Sequence, residues 1–300
     1  MRFRELAQRA LGPNDRVLVL GATGWFGTVT VDIALEAGAK VLAISGSARP
    51  YEIEHRVIQT HDWSEDLISE FNPTVVVDAA FLTREKLTPG KEAEYFDSNR
   101  SLMAKAYSCY QLPSLRAFIG FSSGAAITEP DKPYGGLKLE YEKSLKSLAE
   151  KHSVNTVVAR AWSVSGPFVT KTNGFAFSDF VDQALRTRTI RIQSSGLVYR
   201  RYCSVQDFIA LCLAVSHKTP FAIIDSGGPL VELGELAQTV LSHLNLPHKI
   251  ERQPVETQLT NIYCSDSQIW ETWIEAVGLD PLPLGDQVDA VIADQRFRLS

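Results

Sequence analysis

Long apolar runs are missing from this chain of 300 residues. Stretches such as Arg16–Gly21 and Val75–Ala80 stop well short of the roughly 20 residues that a bilayer-crossing helix needs. The N-terminus has no signal-peptide apolar region, so the reading is a cytoplasmic chain with no membrane partner. Charge of one sign is not concentrated either. Thirty Lys and Arg against 35 Asp and Glu leave a net charge of −5, and the basic residues form no block, which gives no reason to expect nucleic acid or an anionic surface as partner. Cysteine is scarce: Cys109, Cys203, Cys212 and Cys264 show no CxxC spacing and sit among apolar or aromatic neighbours, as reduced core thiols do. The six histidines (His55, His61, His152, His217, His243, His248) lack metal-ligand spacing. No repeat of solenoid or propeller length and no low-complexity stretch is present.

What is present is alternation. Apolar residues make up 45% of the chain and charged ones 22%, enough for one compact body or two domains sharing a core. Arg16–Leu20 is a short apolar run, Trp25–Ala37 has helical spacing, and Lys40–Ile44 is a second run, which together read as a βαβ unit. Val75–Asp78, Ala117–Phe121, Thr156–Ala161 and Phe221–Asp225 repeat the short run, with helical patterns at Phe96–Gln111, Tyr134–Lys151 and Val205–Ser216. Buried strands alternating with helices predict a doubly wound parallel α/β sheet of Rossmann type. Residues 167–204 and 229–300 carry more turns and weaker Val/Ile runs. They are expected to form a smaller, interleaved C-terminal substrate lobe, in which Trp270 and Trp273 pack, beside a dinucleotide-binding domain of residues 1–166 to which 205–228 returns.

Gly21-Ala22-Thr23-Gly24-Trp25-Phe26-Gly27 follows the first strand and opens a helix. In that setting glycines permit a tight turn, let backbone N–H groups and the positive helix end meet a pyrophosphate, and allow close helix–sheet packing. Trp25 and Phe26 within the loop read as packing residues under the helix. The end of the second strand, where an acid would bind the NAD ribose, is Ser45, followed by Arg49. A small hydroxyl with a guanidinium nearby leaves room and charge for a 2′-phosphate, so NADP is the expected cofactor ahead of NAD.

Phe121-Ser122-Ser123-Gly124 ends a predicted central strand, and Tyr134 and Lys138 share one face of the next strong helix. Hydride transfer at a carbinol carbon needs a group that exchanges the oxygen's proton, and an unperturbed phenol is a weak base at neutral pH. The charge of Lys138 is expected to lower the Tyr134 pKa, with Ser123 hydrogen-bonded to the substrate oxygen.

These motifs resemble the extended short-chain dehydrogenase/reductase family of nucleotide-sugar epimerases, dehydratases and ketoreductases. Gly21, Gly24 and Gly27 match its glycine loop, and Asp62 in His61-Asp62-Trp63 matches the acid facing the adenine. Val77-Asp78-Ala79-Ala80 matches its fourth-strand segment and Asn99 its supporting helix asparagine. By that resemblance Ser123, rather than Ser122, is the catalytic serine, with Tyr134 and Lys138 completing the triad. Arg160–Pro167, including Ser163, looks like the segment that closes over nicotinamide and substrate. Arg200 takes the position that meets the diphosphate of a nucleotide sugar, while Asn173, Phe175 and Gln193 line the path to the nucleotide. Family members dimerise through the Tyr-xxx-Lys helix and the one before it, which implies a homodimer. The chain departs from the pattern at Asp78 (usually His), Ile127 (usually Tyr) and Ser163 (usually Asn).

Gly124 and Ala125 stand where dehydratases of this family carry an Asp-Glu pair, which disfavours 4,6-dehydration. Lys132 has no accompanying Cys for epimerisation at C3 or C5. The expected activity is hydride transfer at C4 of a nucleotide-activated sugar, as a 4-ketoreductase or, second, an NAD-dependent 4-epimerase. A small-carbonyl reductase and a non-catalytic dinucleotide sensor are the remaining alternatives.

Overall fold

The computed structural model describes residues 1–53, 55–244 and 249–299, so His248 lies outside the described residues. Short Val/Leu/Ile runs build the centre. They form β1 (Arg16–Leu20), β2 (Lys40–Ile44), β5 (Thr60–His61), β6 (Val75–Asp78), β7 (Ala117–Ser123), β8 (Asn155–Ala161) and β13 (Phe221–Asp225), a parallel sheet in the order β13-β8-β7-β6-β1-β2-β5. Alternate residues of each strand enter opposite cores. Val17, Val19, Val75 and Val77 pack with α1 (Phe3–Ala10), α2 (Trp25–Glu36) and α8 (Val205–Val215) on one face. Leu18, Leu20, Val76 and Phe118 pack on the other with α3 (Glu65–Phe71), α4 (Glu92–Ser108) and α6 (Pro133–His152). Both faces are thereby covered, as a parallel sheet requires.

Register fixes where chemistry can occur. Leu20 pairs with both Ile44 and Asp78, and Ser123 with Ala161, so the loops that follow β1, β2, β6, β7 and β8 leave one edge of the sheet. The chain passes from β1 to β2 on one side and to β6 on the other. The crevice beyond β1 and β6 is the switch point at which open α/β sheets bind ligands.

A hairpin, β3 (Tyr51–Ile53) with β4 (Arg56–Ile58), follows β2, and the four-residue helix α5 (Ala125–Thr128) follows β7. The rest of the chain adds α7 (Ala176–Thr187), α9 (Leu233–Leu244), α10 (Ser267–Val277) and α11 (Leu284–Leu299). It also adds a sheet in which β11 (Gly196–Arg201) lies between β14 (Leu230–Glu232) and β16 (Glu256–Tyr263). Two further parallel pairs form, β9 (Val164–Ser165) with β12 (Cys203–Ser204) and β10 (Thr189–Ile192) with β15 (Lys249–Arg252). Helices α7, α9 and α11 share a third core of Phe177, Phe180, Val240 and Val291. The strands β14–β16 fall where the sequence shows no strong Val/Ile runs: they are short or polar, and β16 exposes Leu259 and Ile262, so no apolar period marks them. Residues 205–225 lie with the central sheet, with β13 paired to β8. Trp270 is buried against Phe208 in the core beneath that sheet, not among the helices of the third core. The four cysteines are free thiols. No helix among the described residues is long and apolar enough to cross a membrane.

Candidate active site

The glycine loop is shaped by contacts that leave no room for side chains. Gly21 has φ +74°, and a Cβ there would lie 2.8 Å from the backbone of Ala79. A Cβ on Gly27 would collide with the Gly21 carbonyl. Helix α2 begins at Gly24 without a side-chain cap, which leaves its leading N–H groups to an anion. Trp25 does more than pack under this helix. Its indole N–H donates to the Pro167 carbonyl (2.7 Å) and its ring lies 5.2 Å from that of Phe175, while Phe26 packs on Phe121 at 4.7 Å. The loop is thus tied to segment 167–175 from the far side of the crevice.

Beside the loop a cleft is lined by Gly21, Ser45, Asp62, Trp63, Ala80 and Lys105 among others. Ser45 is buried and shares a hydrogen bond of 2.9 Å with the Thr23 hydroxyl. Arg49 is exposed and does not line this cleft; the cation that does is Lys105 of α4, 5.8 Å from the Trp63 ring. The tight glycine turn, the uncapped helix and the adjoining cleft fit a dinucleotide, with Asp62 and Trp63 at one end and Ala79 and Ala80 against the loop.

Ser122 and Ser123 part company at the end of β7. Ser122 donates to Glu142 (2.6 Å), which also receives both arms of Arg160 (2.8 and 2.6 Å). Asp225 lies 4.0 Å from Arg160 and accepts from the Trp162 indole (2.6 Å). This buried network pins the strand ends. The Ser123 hydroxyl accepts from the Ala125 amide (3.2 Å), and burial pushes the Tyr134 and Tyr263 pKa values up, an effect that hydrogen bonding with Ser123 opposes only in part. Tyr134 enters at the first turn of α6, which Pro133 starts. Tyr263 arrives from the end of β16, its ring tilted against Trp162 at 4.9 Å with the Arg200 guanidinium 5.7 Å over it.

Lys138 follows Tyr134 by one turn of α6. It is buried, donates to the Phe121 carbonyl (2.8 Å) and lies 3.5 Å from the centre of the Phe81 ring. Burial pulls its pKa down, opposed by the carboxylates of Asp78 and Glu142. Asp78, buried beside it, is pushed up by desolvation although Tyr141 (2.6 Å) and the Ala80 amide (3.0 Å) both donate to it. Burial raises the Tyr134 pKa, opposed in part by the Ser123 hydroxyl and the Arg84 guanidinium. Asn99, fully buried, accepts from the Leu82 amide (2.8 Å) and so holds the turn that carries Arg84.

The remaining substrate-side positions are spread out. Arg200 is half-buried, bonded to Asn261 (2.8 Å) and the Tyr199 carbonyl (2.7 Å). Ser163 is half-buried between β8 and β9. Asn173 and Gln193 are exposed, and Phe175 covers Trp25. Sequence reasoning missed Arg84, Lys105 and Tyr263: each lies in a turn, on a helix flank or on a polar strand, where no periodicity or motif marks it.

The family described as "NAD dependent epimerase/dehydratase family" matches residues 17–222. Among curated proteins, UDP-glucuronic acid decarboxylase 3 of Arabidopsis thaliana is 28% identical over 96 residues, 32% of this chain and 28% of the relative's length. Among solved structures, UDP-glucose 4-epimerase of Thermotoga maritima with UDP-glucose superposes with a TM-score of 0.74 at 20% identity, covering 95% of this chain and all of that one. The Bordetella bronchiseptica enzyme WbmF in complex with NAD+ gives 0.75 at 17% identity, covering 95% and 94%. At these identities the structural likeness establishes a shared fold.

Proposed function

The chain belongs to the NAD-dependent epimerase/dehydratase family, and from that premise we propose that it is an NAD(P)-dependent oxidoreductase acting at C4 of a nucleotide-activated sugar, with 4-ketoreduction favoured. The observation that carries this reading is that Ser123 ends β7 and Tyr134 opens α6 at the sheet edge from which the glycine loop also leaves. When bound, the dinucleotide supplies or accepts the hydride. Ser123 donates a hydrogen bond to the substrate oxygen, and Tyr134 gives up its phenolic proton to that oxygen as the carbonyl is reduced. Lys138 anchors the strand end through the Phe121 carbonyl.

Dehydration finds no support, since Gly124 and Ala125 offer no carboxyl group and the nearby Glu129 and Glu142 are engaged by Arg84, Lys132 and Arg160. Arg200, half-buried over Tyr263, suits the diphosphate of the substrate. Ser45, small and paired with Thr23, supports NADP. A homodimer would use the exposed face where Arg100 of α4 meets Glu140 of α6 (3.0 Å), and light scattering of the purified chain would register it.

The 4-epimerase reading is favoured by one observation, the clasp of Trp25 on Pro167 and Phe175, which suits a cofactor retained between turnovers. Calorimetric titration with NADP, NAD and UDP-, dTDP-, GDP- and CDP-sugars separates the readings. Exchangeable NADPH with one preferred nucleotide sugar supports the ketoreductase, and co-purifying NAD with affinity for a UDP-hexose supports the epimerase. Dinucleotide binding without response to any nucleotide sugar overturns both and leaves a small-carbonyl reductase or a sensor.

A further inference from the structure

Two charged side chains line the cleft beside the glycine loop, Asp62 after β5 and Lys105 on α4. Neither has an ion-pair partner among the described residues. Lys105 is exposed and follows Leu102, another lining residue, by about one turn of α4, so the helix face turned to the cleft carries an apolar contact and then a cation. Its ammonium lies 5.8 Å from the centre of the Trp63 ring and donates no hydrogen bond among the described residues.

The end of β2 offers no charge of its own. Ser45 is buried, its hydroxyl shared with Thr23 (2.9 Å) and accepting from the Ser47 amide (3.4 Å). The loop beyond it is fastened at its backbone. The Thr60 hydroxyl of β5 donates to the Arg49 carbonyl (2.8 Å), and the Arg49 amide donates to the Ser47 carbonyl (2.7 Å). This turn leaves the Arg49 side chain exposed and outside the lining of the cleft.

An adenosine whose ribose meets Ser45 and Gly46 presents its 2′ position to a wall without a carboxylate. A phosphate there is anionic at neutral pH and enters a cleft that already holds Asp62. Its charge must be offset as it leaves water, or the site rejects it. Lys105 is the cation among the lining residues, and an ammonium on a flexible four-carbon stem follows a phosphate oxygen without needing a fixed fork geometry. We propose that Lys105 is the specificity-determining residue for the cofactor: its ammonium takes the 2′-phosphate of NADP, a role that position along the chain would give to Arg49. This rests on the reading of the cleft as the adenosine end of a dinucleotide site.

The test is calorimetric titration of the full chain with NADP and NAD, and with adenosine 2′,5′-bisphosphate and 5′-AMP, fragments that lack the nicotinamide. Lys105→Met is expected to weaken NADP and the bisphosphate about tenfold, the scale of one charge-assisted contact, with NAD and 5′-AMP changed by less than about twofold. That retained NAD affinity also shows that the variant is folded with its cleft intact. Lys105→Arg keeps the charge and is expected to keep most of the NADP affinity. Arg49→Met should leave the ratio of NADP to NAD affinity near its parent value. Added salt should lower this ratio in the parent and much less in Lys105→Met, because a solvent-exposed charge pair is screened.

A ratio unmoved by Lys105→Met overturns the proposal. So does an equal loss for both dinucleotides, which would put the ammonium on a part that they share, and so does a fall from Arg49→Met as large as that from Lys105→Met. These three outcomes leave the dinucleotide reading standing. A parent chain that binds neither dinucleotide nor fragment overturns that reading and this assignment with it, so the two failures are told apart.

Discussion

The central sheet and the sheet β14-β11-β16 are built on different principles. In the first, Val17, Leu18, Val75 and Val76 are fully buried, and the central strands are covered on both faces by helices. In the second, Leu259 and Ile262 of β16 are 53% and 62% exposed, while the opposite edge is secured by a buried ion pair. Arg252 meets both oxygens of Glu232 (2.9 and 2.8 Å) and the Gly196 carbonyl (2.8 Å). The dinucleotide side is thus held by apolar burial in fixed register. The side that brings Tyr263 and Arg200 to the site is held by a few directed polar contacts and can vary its surface without disturbing the core.

The largest effect should come from the glycine loop. Gly27→Ala drives a methyl into the Gly21 carbonyl, and dinucleotide affinity measured by calorimetry is expected to fall by roughly 100-fold or more. Retained affinity would mean that the loop relaxes more freely than its contacts allow.

Next is Arg252→Met, which strands Glu232. A loss of about 3 kcal/mol is expected, seen by hydrogen exchange as lowered protection in β11, β14 and β15 with the central strands unchanged. Uniform loss across both sheets would show that the two regions unfold as one.

The same pair carries a pH dependence. Glu232 is held at about 2 against an ordinary 4.5, its burial outweighed by Arg252 and by the amides of Val198 and Gly234. Its carboxylate is ionised in the fold where the unfolded chain would already bind a proton. The stabilisation is therefore complete above pH 4.5 and lost as pH falls towards 2. Denaturant unfolding across that window should show the decline in the parent chain and a flatter profile in Arg252→Met.

A subtler change is Ser45→Asp, which places an acid where the adenosine ribose is expected and should shift preference from NADP towards NAD by about tenfold. Competitive titration of the two dinucleotides reads it directly. The smallest effect is expected for Ile262→Thr on the exposed strand, within about 0.5 kcal/mol. A larger loss would mean that this face is covered in solution.

The legibility of the molecule follows the same division. The runs at 16–20, 40–44, 75–78 and 221–225 are strands where the alternation places them, and α6 begins one residue before Tyr134. The sequence reading takes Ser123 over Ser122, and in the structure Ser122 donates to Glu142 (2.6 Å) while Ser123 accepts from the Ala125 amide (3.2 Å). Arg49 is a plausible cation by its place in the chain yet stays outside the cleft, where Lys105 stands instead.

By itself the sequence determined the parallel sheet, the glycine turn at the end of β1, and the appearance of serine, tyrosine and lysine at the ends of neighbouring elements. Apolar periodicity and backbone geometry are local properties, and burial follows from them. Only the tertiary structure decided which charges act on Tyr134. The force on a phenol depends on distances to groups from distant segments, such as Arg84 after β6 and Tyr263 at the end of β16, and on how much water it has lost. No spacing along a chain encodes those distances.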